Sequence, residues 1–348
     1  MDQSSFSKLS PTSLDVERLK LIADYAAPVI PFLSEAGVLD VCVNELGGVW
    51  VNRLGAGWQQ EEESMRNVDS INLLQAIATV RRKELNEQYP ILETTFPLTG
   101  DRIEGVISPI VTAPVFAIRT RPKQIYTVGD YSEQRVLTGA GDPMNTKCER
   151  EGFLDLAAKS ASHEEVVQLS TRFRQNVLLV GPTGSGKTSF GNALIADWKA
   201  QTPNDRVVII EDTEELQCSL PNFVQLLANE HVSQARLLEV SLRLIPKRIV
   251  VGEVRAADAA KVLLMAWNTG HRGGLATIHA DSALAGLRKL ETFLGSHDGV
   301  VREQIADAIG LVIFIDGEDR ISAGRKVREV LAVKGFDASC GDYELVRL

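Results

Sequence analysis

Residues 181–188 read Gly181-Pro-Thr-Gly-Ser-Gly-Lys-Thr188, with glycines and a Lys-Thr pair at the spacing of a phosphate cradle. Gly181, Gly184 and Gly186 let backbone N–H groups turn inward around a triphosphate, and Pro182, Thr183 and Ser185 complete the loop. A helix opening at Ser189 adds unpaired N–H groups and the positive end of its dipole. Lys187 would reach the β- and γ-phosphates, and the Thr188 hydroxyl would ligate Mg²⁺. The pattern therefore predicts a nucleoside triphosphate held with Mg²⁺ by Gly181, Pro182, Thr183, Gly184, Ser185, Gly186, Lys187, Thr188 and Ser189.

Such a loop works only between a strand and a helix. Residues 175–180, Gln-Asn-Val-Leu-Leu-Val, have strand length and character, and residues 189–198 have helical spacing without proline. Further on, apolar runs at residues 206–210, 248–251, 274–279 and 311–315 alternate with helical spacing at 234–244, 256–267 and 282–294. Alternation of this kind predicts a largely parallel, doubly wound sheet. Polar clusters follow three of the strands, where open α/β sheets place their sites. They are Glu211-Asp-Thr-Glu-Glu215, Gly252-Glu-Val-Arg255 and His279-Ala-Asp281. Hydrolysis of a triphosphate needs a carboxylate for the metal, another for the attacking water and polar groups that sense the γ-phosphate. Taken singly these residues have plainer uses: Glu214 and Glu215 could cap a helix, and His279 could be an ordinary hydrogen-bonded histidine. Their conjunction and order favour the site.

The 348 residues suffice for two domains, and 44% apolar residues can bury a sizeable core. A net charge of −9 argues against a surface that grips nucleic acid throughout. Four dispersed cysteines form neither a zinc motif nor a disulfide framework, which fits a reducing cytosol. The polar N-terminus is no signal peptide, and no run approaches about 18 apolar residues, so membrane association would be peripheral. Residues 1–13 are expected to be disordered. Residues 14–130 read as an α+β domain: a helical stretch at 14–36 broken near Pro28 and Pro31, and a hairpin at 39–53. A helix capped at Asp69 or Ser70 follows, then short strands in a mixed sheet. Residues 131–150 read as the linker and 151–348 as the nucleotide domain. The latter opens on a helical stretch at 151–172 and ends with a hairpin loop at 317–324 and an edge strand at 343–348.

Four segments carry a family resemblance. The loop at 181–188, Ile210-Glu-Asp-Thr-Glu-Glu-Leu216, Arg248-Ile-Val-Val-Gly-Glu-Val-Arg255 and Gly270-His-Arg-Gly-Gly-Leu-Ala-Thr-Ile-His-Ala280 closely resemble the Walker A, Asp, Walker B and His boxes of the secretion ATPases. Those enzymes serve type II and type IV secretion and pilus assembly. Residues 263–271, Leu-Leu-Met-Ala-Trp-Asn-Thr-Gly-His, look specifically like the conjugative-transfer TrbB branch. Pro246-Lys247 departs from the usual Pro-Asp, so no role transfers to that position. In the N-terminal half, Phe96-Pro-Leu-Thr-Gly-Asp-Arg102 and Phe116-Ala-Ile-Arg-Thr-Arg121 look like segments that bring arginines to the nucleotide.

The resemblance implies an α/β fold: a C-terminal RecA-like P-loop ATPase domain with a smaller N-terminal α+β domain, and nucleotide at the cleft between them. It implies a homohexameric ATPase on the cytoplasmic face of the inner membrane, docked on membrane components of a type IV secretion or conjugation machine. Pilus retraction is the nearest alternative, and a nucleic-acid motor a more distant one. No sequence-specific nucleic-acid binding is expected. By resemblance, Glu211 would activate water, Glu253 would serve the magnesium site with Thr188, His279 would sense the γ-phosphate, and Arg102 and Arg119 would contact phosphates, with Arg121 a weaker candidate.

Overall fold

The computed structural model describes residues 13–122, 127–133, 146–317 and 324–348. The chain divides into two compact units, residues 1–123 and 124–348. The expected disorder at 1–12, most of the expected linker with its turn at 139–143, and the hairpin loop at 318–323 lie outside the described residues.

In the first unit, α1 (Ser13–Tyr25) and α2 (Ile30–Ser34) are separated where Pro28 forbids a continuous helix. Strands β1 (Val38–Val43), β2 (Gly48–Arg53) and β3 (Gly57–Ser64) precede α3 (Asn67–Arg81), and β4 (Ile91–Thr95), β5 (Arg102–Val106) and β6 (Val115–Arg119) follow it. The sheet order is β3-β2-β1-β6-β5-β4. Every pairing is antiparallel, so the mixed sheet expected from the sequence is corrected. β1–β3 and β4–β6 are two runs of strands joined in sequence, α3 carries the chain from edge strand β3 to the opposite edge strand β4, and the runs meet where β1 pairs β6 antiparallel. Ile22 from α1 and Leu73, Leu74 and Ile77 from α3 are buried with Val41, Val49, Ile103 and Phe116 of the sheet. Helix α3 begins three or four residues earlier than the expected cap at Asp69 or Ser70. Arg66 is its N-cap, and Asp69 lies in its first turn, paired with Arg66 at 2.6 Å.

The second unit opens with α4 (Val128–Glu133), α5 (Thr146–Ala157) and α6 (His163–Arg172). The single helical stretch expected at 151–172 is therefore two helices. Ser162 starts α6, its side chain accepting from the Glu165 N–H. The alternation then runs β7 (Val177–Val180), α7 (Lys187–Gln201), β8 (Val207–Glu211), β9 (Phe223–Leu227), α8 (Gln234–Arg243), β10 (Arg248–Val251), α9 (Ala257–Asn268), β11 (Leu275–Ile278), α10 (Ala283–Leu294), α11 (Gly299–Ala308), β12 (Leu311–Gly317), β13 (Arg325–Asp337) and β14 (Asp342–Arg347).

These strands lie in the order β14-β13-β12-β7-β11-β10-β8-β9. Strands β12 to β9 of that order are parallel, and β13 and β14 extend the sheet antiparallel. The central strands β7, β8, β10 and β11 are buried at every position, as a sheet covered on both faces requires. Their register aligns Val180 with Ile278, Ala276 with Val251, and Val251 with Ile210. Residues 181, 211, 252 and 279 therefore leave the sheet along one edge.

Candidate active site

The phosphate loop is built by its glycines. Gly184 has φ +78° and Gly186 φ +90°, a region where other residues are strained. Gly186 is the N-cap of α7 and gives it no side-chain cap, whereas Ser233, Ser282 and Asp298 close the first turns of α8, α10 and α11. The first N–H groups of α7 are thus left to a ligand. The Ser185 hydroxyl is buried in the loop without a hydrogen-bond partner. This combination of free N–H donors, an orphaned hydroxyl and a lysine fits a polyphosphate.

Lys187 is 7% exposed, and its Nζ donates to the carbonyls of Gly181 and Pro182, both at 2.9 Å. Nζ also lies 3.1 Å from His279 Nδ1. On the other side of the ring, His279 Nε2 lies 3.1 Å from Glu253 Oε1. His279 Nδ1 is also 3.1 Å from the Gly181 carbonyl oxygen. Glu253 Oε2 pairs with Arg255 at 2.9 Å, and Arg255 reaches Asp212 at 3.3 Å. One polar chain thus links the phosphate loop to the ends of β8, β10 and β11. Burial pushes the Lys187 ammonium below the usual lysine range, against the opposing pull of Glu253. Burial pushes Glu253 upward, yet the Arg255 hydrogen bond with the charges of His279, Arg255 and Lys187 outweighs it and holds the carboxyl below its usual range.

Glu211 behaves differently. Its Oε1 accepts from the N–H groups of Glu215 at 3.2 Å and Leu216 at 3.0 Å, and its Oε2 accepts from Gln225 at 2.6 Å. Burial pushes its carboxyl above the ordinary range despite these bonds. Gly252 leaves the room for it: a Cβ there would fall 2.8 Å from Glu211 Cγ. Glu211 thereby fixes the irregular segment after β8. No helix starts at Glu214 or Glu215, which corrects their reading as caps. Glu215 instead accepts from the Thr188 hydroxyl at 3.0 Å. The sequence reading gave it no part in the site, although its place in the acidic box was the signal. Thr188, Glu211, Glu215, Glu253 and Arg255 line a cavity of about 70 Å³.

His271 lies before β11, at the opposite end of that strand from His279, with its ring on the Ala266 carbonyl. In the first unit, Arg102 and Arg119 are cross-strand partners on β5 and β6, and both are exposed. Arg119 also pairs with the buried Asp40 at 2.9 Å. Arg121 follows on the same edge, its N–H donating to Asp101 at 2.8 Å.

Comparison with known proteins agrees with this architecture. The model of the type II/IV secretion system protein family matches residues 25–316. The conjugal transfer protein TrbB of Rhizobium radiobacter is 35% identical over 305 residues, covering 87% of this chain and 86% of that protein. The type IV secretion system protein PtlH of Bordetella pertussis is 28% identical, covering 88% and 94%. The crystal structure of the VirB11 ATPase from the Brucella suis type IV secretion system superposes with a TM-score of 0.80 at 25% identity, covering 91% of this chain and 96% of that one. The chain belongs to the type II/IV secretion system protein family and is one of its ATPases.

Proposed function

We propose that the chain hydrolyses ATP at residues 181–188 and that this powers a type IV secretion or conjugal-transfer apparatus. Lys187 neutralises phosphate charge, helped by the N–H groups of the loop and of α7. Glu253, kept ionised by its cationic neighbours, orients water and takes its proton. His279, between Lys187 and Glu253, couples the γ-phosphate position to that carboxylate. Mg²⁺, when bound, would neutralise the charge shared by the β- and γ-phosphates, held through the Thr188 hydroxyl and the Glu215 carboxylate. Among the described residues no group of three His, Cys, Asp or Glu could hold a metal alone, so these two depend on the phosphates to complete the shell. Glu211, expected from the sequence to activate water, is reassigned to positioning Glu215, because its own oxygens are engaged by three donors.

The arginines of the first unit supply further cations to the nucleotide in this reading. The working form is a homohexamer held peripherally at the cytoplasmic face of the inner membrane by components of the secretion machine. Among the described residues no helix is long and apolar enough to cross a membrane.

The observation that carries the reading is the Lys187–His279–Glu253 chain at the glycine loop. Its test is Lys187→Ala. ATP turnover should fall to background while circular dichroism and melting temperature stay near wild type. Near-normal turnover would remove the loop from the chemistry.

A further inference from the structure

A cavity of about 390 Å³ lies along α10, and it shares no lining residue with the carboxylate-lined space beside the phosphate loop. Its charged lining is Arg288, Lys289, Glu291, His297 and Arg302. Ser282 and Thr292 add hydroxyls, and Leu284 and Ala285 complete the wall. Spaces of about 300–1,000 Å³ with convergent polar groups are where small molecules bind.

The one carboxylate of this lining is already satisfied. Glu291 is buried and accepts from the Tyr343 hydroxyl at 2.9 Å. It also meets His297 Nδ1 at 2.8 Å and Arg302 Nε at 3.3 Å. Arg302 therefore offsets Glu291, and it donates as well to the Gly341 carbonyl. The other two cations are not offset. Arg288 is exposed, and its guanidinium pairs with no carboxylate among the described residues. Lys289 is half-buried and pairs with none either. Its Nζ donates to the His279 carbonyl at 2.7 Å, which uses one of the three N–H groups of an ammonium. A guanidinium fork and an ammonium with spare donors at one cavity suit phosphate oxygens.

The geometry points to an anion site in this cavity: a small phosphate-bearing molecule held by Arg288 and Lys289, and felt at the ATP site through the bond from Lys289 to the His279 carbonyl. The ring of that same His279 stands between Lys187 and Glu253. A phosphate oxygen that draws Lys289 Nζ into the cavity loosens its hold on the carbonyl, and the imidazole loses its place between the two. Occupancy therefore slows hydrolysis. The coupling rests on His279 belonging to the ATP site, whereas the binding of the anion does not.

The test begins with calorimetric titration of full-length Lys187→Ala by inorganic pyrophosphate without Mg²⁺, so that the phosphate loop lacks both its cation and its metal. Binding should remain. Adding Arg288→Gln or Lys289→Gln to that protein should weaken it by roughly 10- to 100-fold, the loss expected for a charge-assisted bond to phosphate. No binding to Lys187→Ala, or binding that neither substitution weakens, would overturn the site. The coupling is read in steady-state ATP hydrolysis with Mg²⁺ in excess. Pyrophosphate should raise the KM of the wild type by competing at the loop and should also lower its kcat. Arg288→Gln should match the wild-type kcat without pyrophosphate and keep only the KM effect with it. A KM effect alone in the wild type would overturn the coupling. ATP turnover persisting in Lys187→Ala would instead overturn the reading of the loop, and the calorimetric loss on Arg288→Gln would still decide the cavity. Sedimentation with phosphatidylglycerol and with phosphatidylcholine vesicles separates the sources of the anion. Retention on the former alone, displaced by pyrophosphate and lost in Arg288→Gln, makes the ligand a lipid headgroup, and no retention makes it a free phosphate compound.

Discussion

Lys187 is a cation kept in a place that disfavours its charge. Burial lowers its pKa, so it loses its proton at lower pH than a free lysine would. Only the ammonium form neutralises phosphate. ATP affinity is therefore expected to fall as pH rises through the lowered value, and binding in that range should take up a proton. The stability of the ligand-free fold has the opposite sign: the unfolded chain holds the proton more tightly there, so stability rises with pH across the same window. Titrations in two alkaline buffers of different ionisation enthalpy would reveal the uptake as a difference in apparent binding heat. Equal heats, with affinity flat to pH 10, would mean that Lys187 does not carry the phosphate charge.

The elements that hold the site are tied at their far ends by a buried ion network. Arg248, at the start of β10, is fully buried and pairs with Asp205 at 2.8 Å. It also donates to the Gly273 carbonyl at 2.7 Å and stacks on Trp198 at 4.6 Å. Burial pushes its guanidinium down to about 10 even so, which leaves it charged at neutral pH. Burial pushes Asp205 upward, but hydrogen bonds and charges from Arg174 and Arg248 hold it below its ordinary range. Its stabilising contribution is present above the unfolded value and is lost as pH falls through the depressed one. Arg248→Met should leave Asp205 and the Gly273 carbonyl short of a partner and cost about 3–5 kcal/mol. Chemical denaturation at neutral pH measures this, and a loss below about 1 kcal/mol would show that the network contributes little. Because β8, β10 and β11 also carry Glu211, Glu253 and His279, activity should fall with stability in that variant.

At the scale of the molecule, the two units were legible to different degrees. The phosphate loop and the central parallel strands β7, β8, β10 and β11 were plain, because their residues are contiguous and buried strands leave unbroken apolar runs, whereas parallel β9, only alternately buried, was not read. Strand β3 was not read: only Trp58 of its eight residues is buried, so the edge leaves no alternation. The pairing of Glu215 with Thr188 and of Arg248 with Asp205 joins residues 27 and 43 apart, which no local pattern reports. The arginines of the first unit fall between these cases. Arg102→Ala should slow ATP turnover without changing melting temperature, because this residue is exposed on its strand. Arg119→Ala is a poorer test, since it strips the buried Asp40 of a cation and leaves it with Asn52 at 2.7 Å. Steady-state turnover of Arg102→Ala equal to wild type would confine the chemistry to the second unit.

The central claim is that Glu253, and not Glu211, serves the attacking water. Single-turnover hydrolysis of pre-bound ATP, followed by rapid quench in Glu253→Gln and Glu211→Gln, addresses it directly. The expected result is that Glu253→Gln binds ATP as wild type does and hydrolyses it about 10²-fold more slowly or worse. Glu211→Gln should keep a faster chemical step but need more Mg²⁺, because Glu215 is no longer held in place. A Glu253→Gln protein that turns over its bound ATP at the wild-type rate, while Glu211→Gln stalls, would contradict the account.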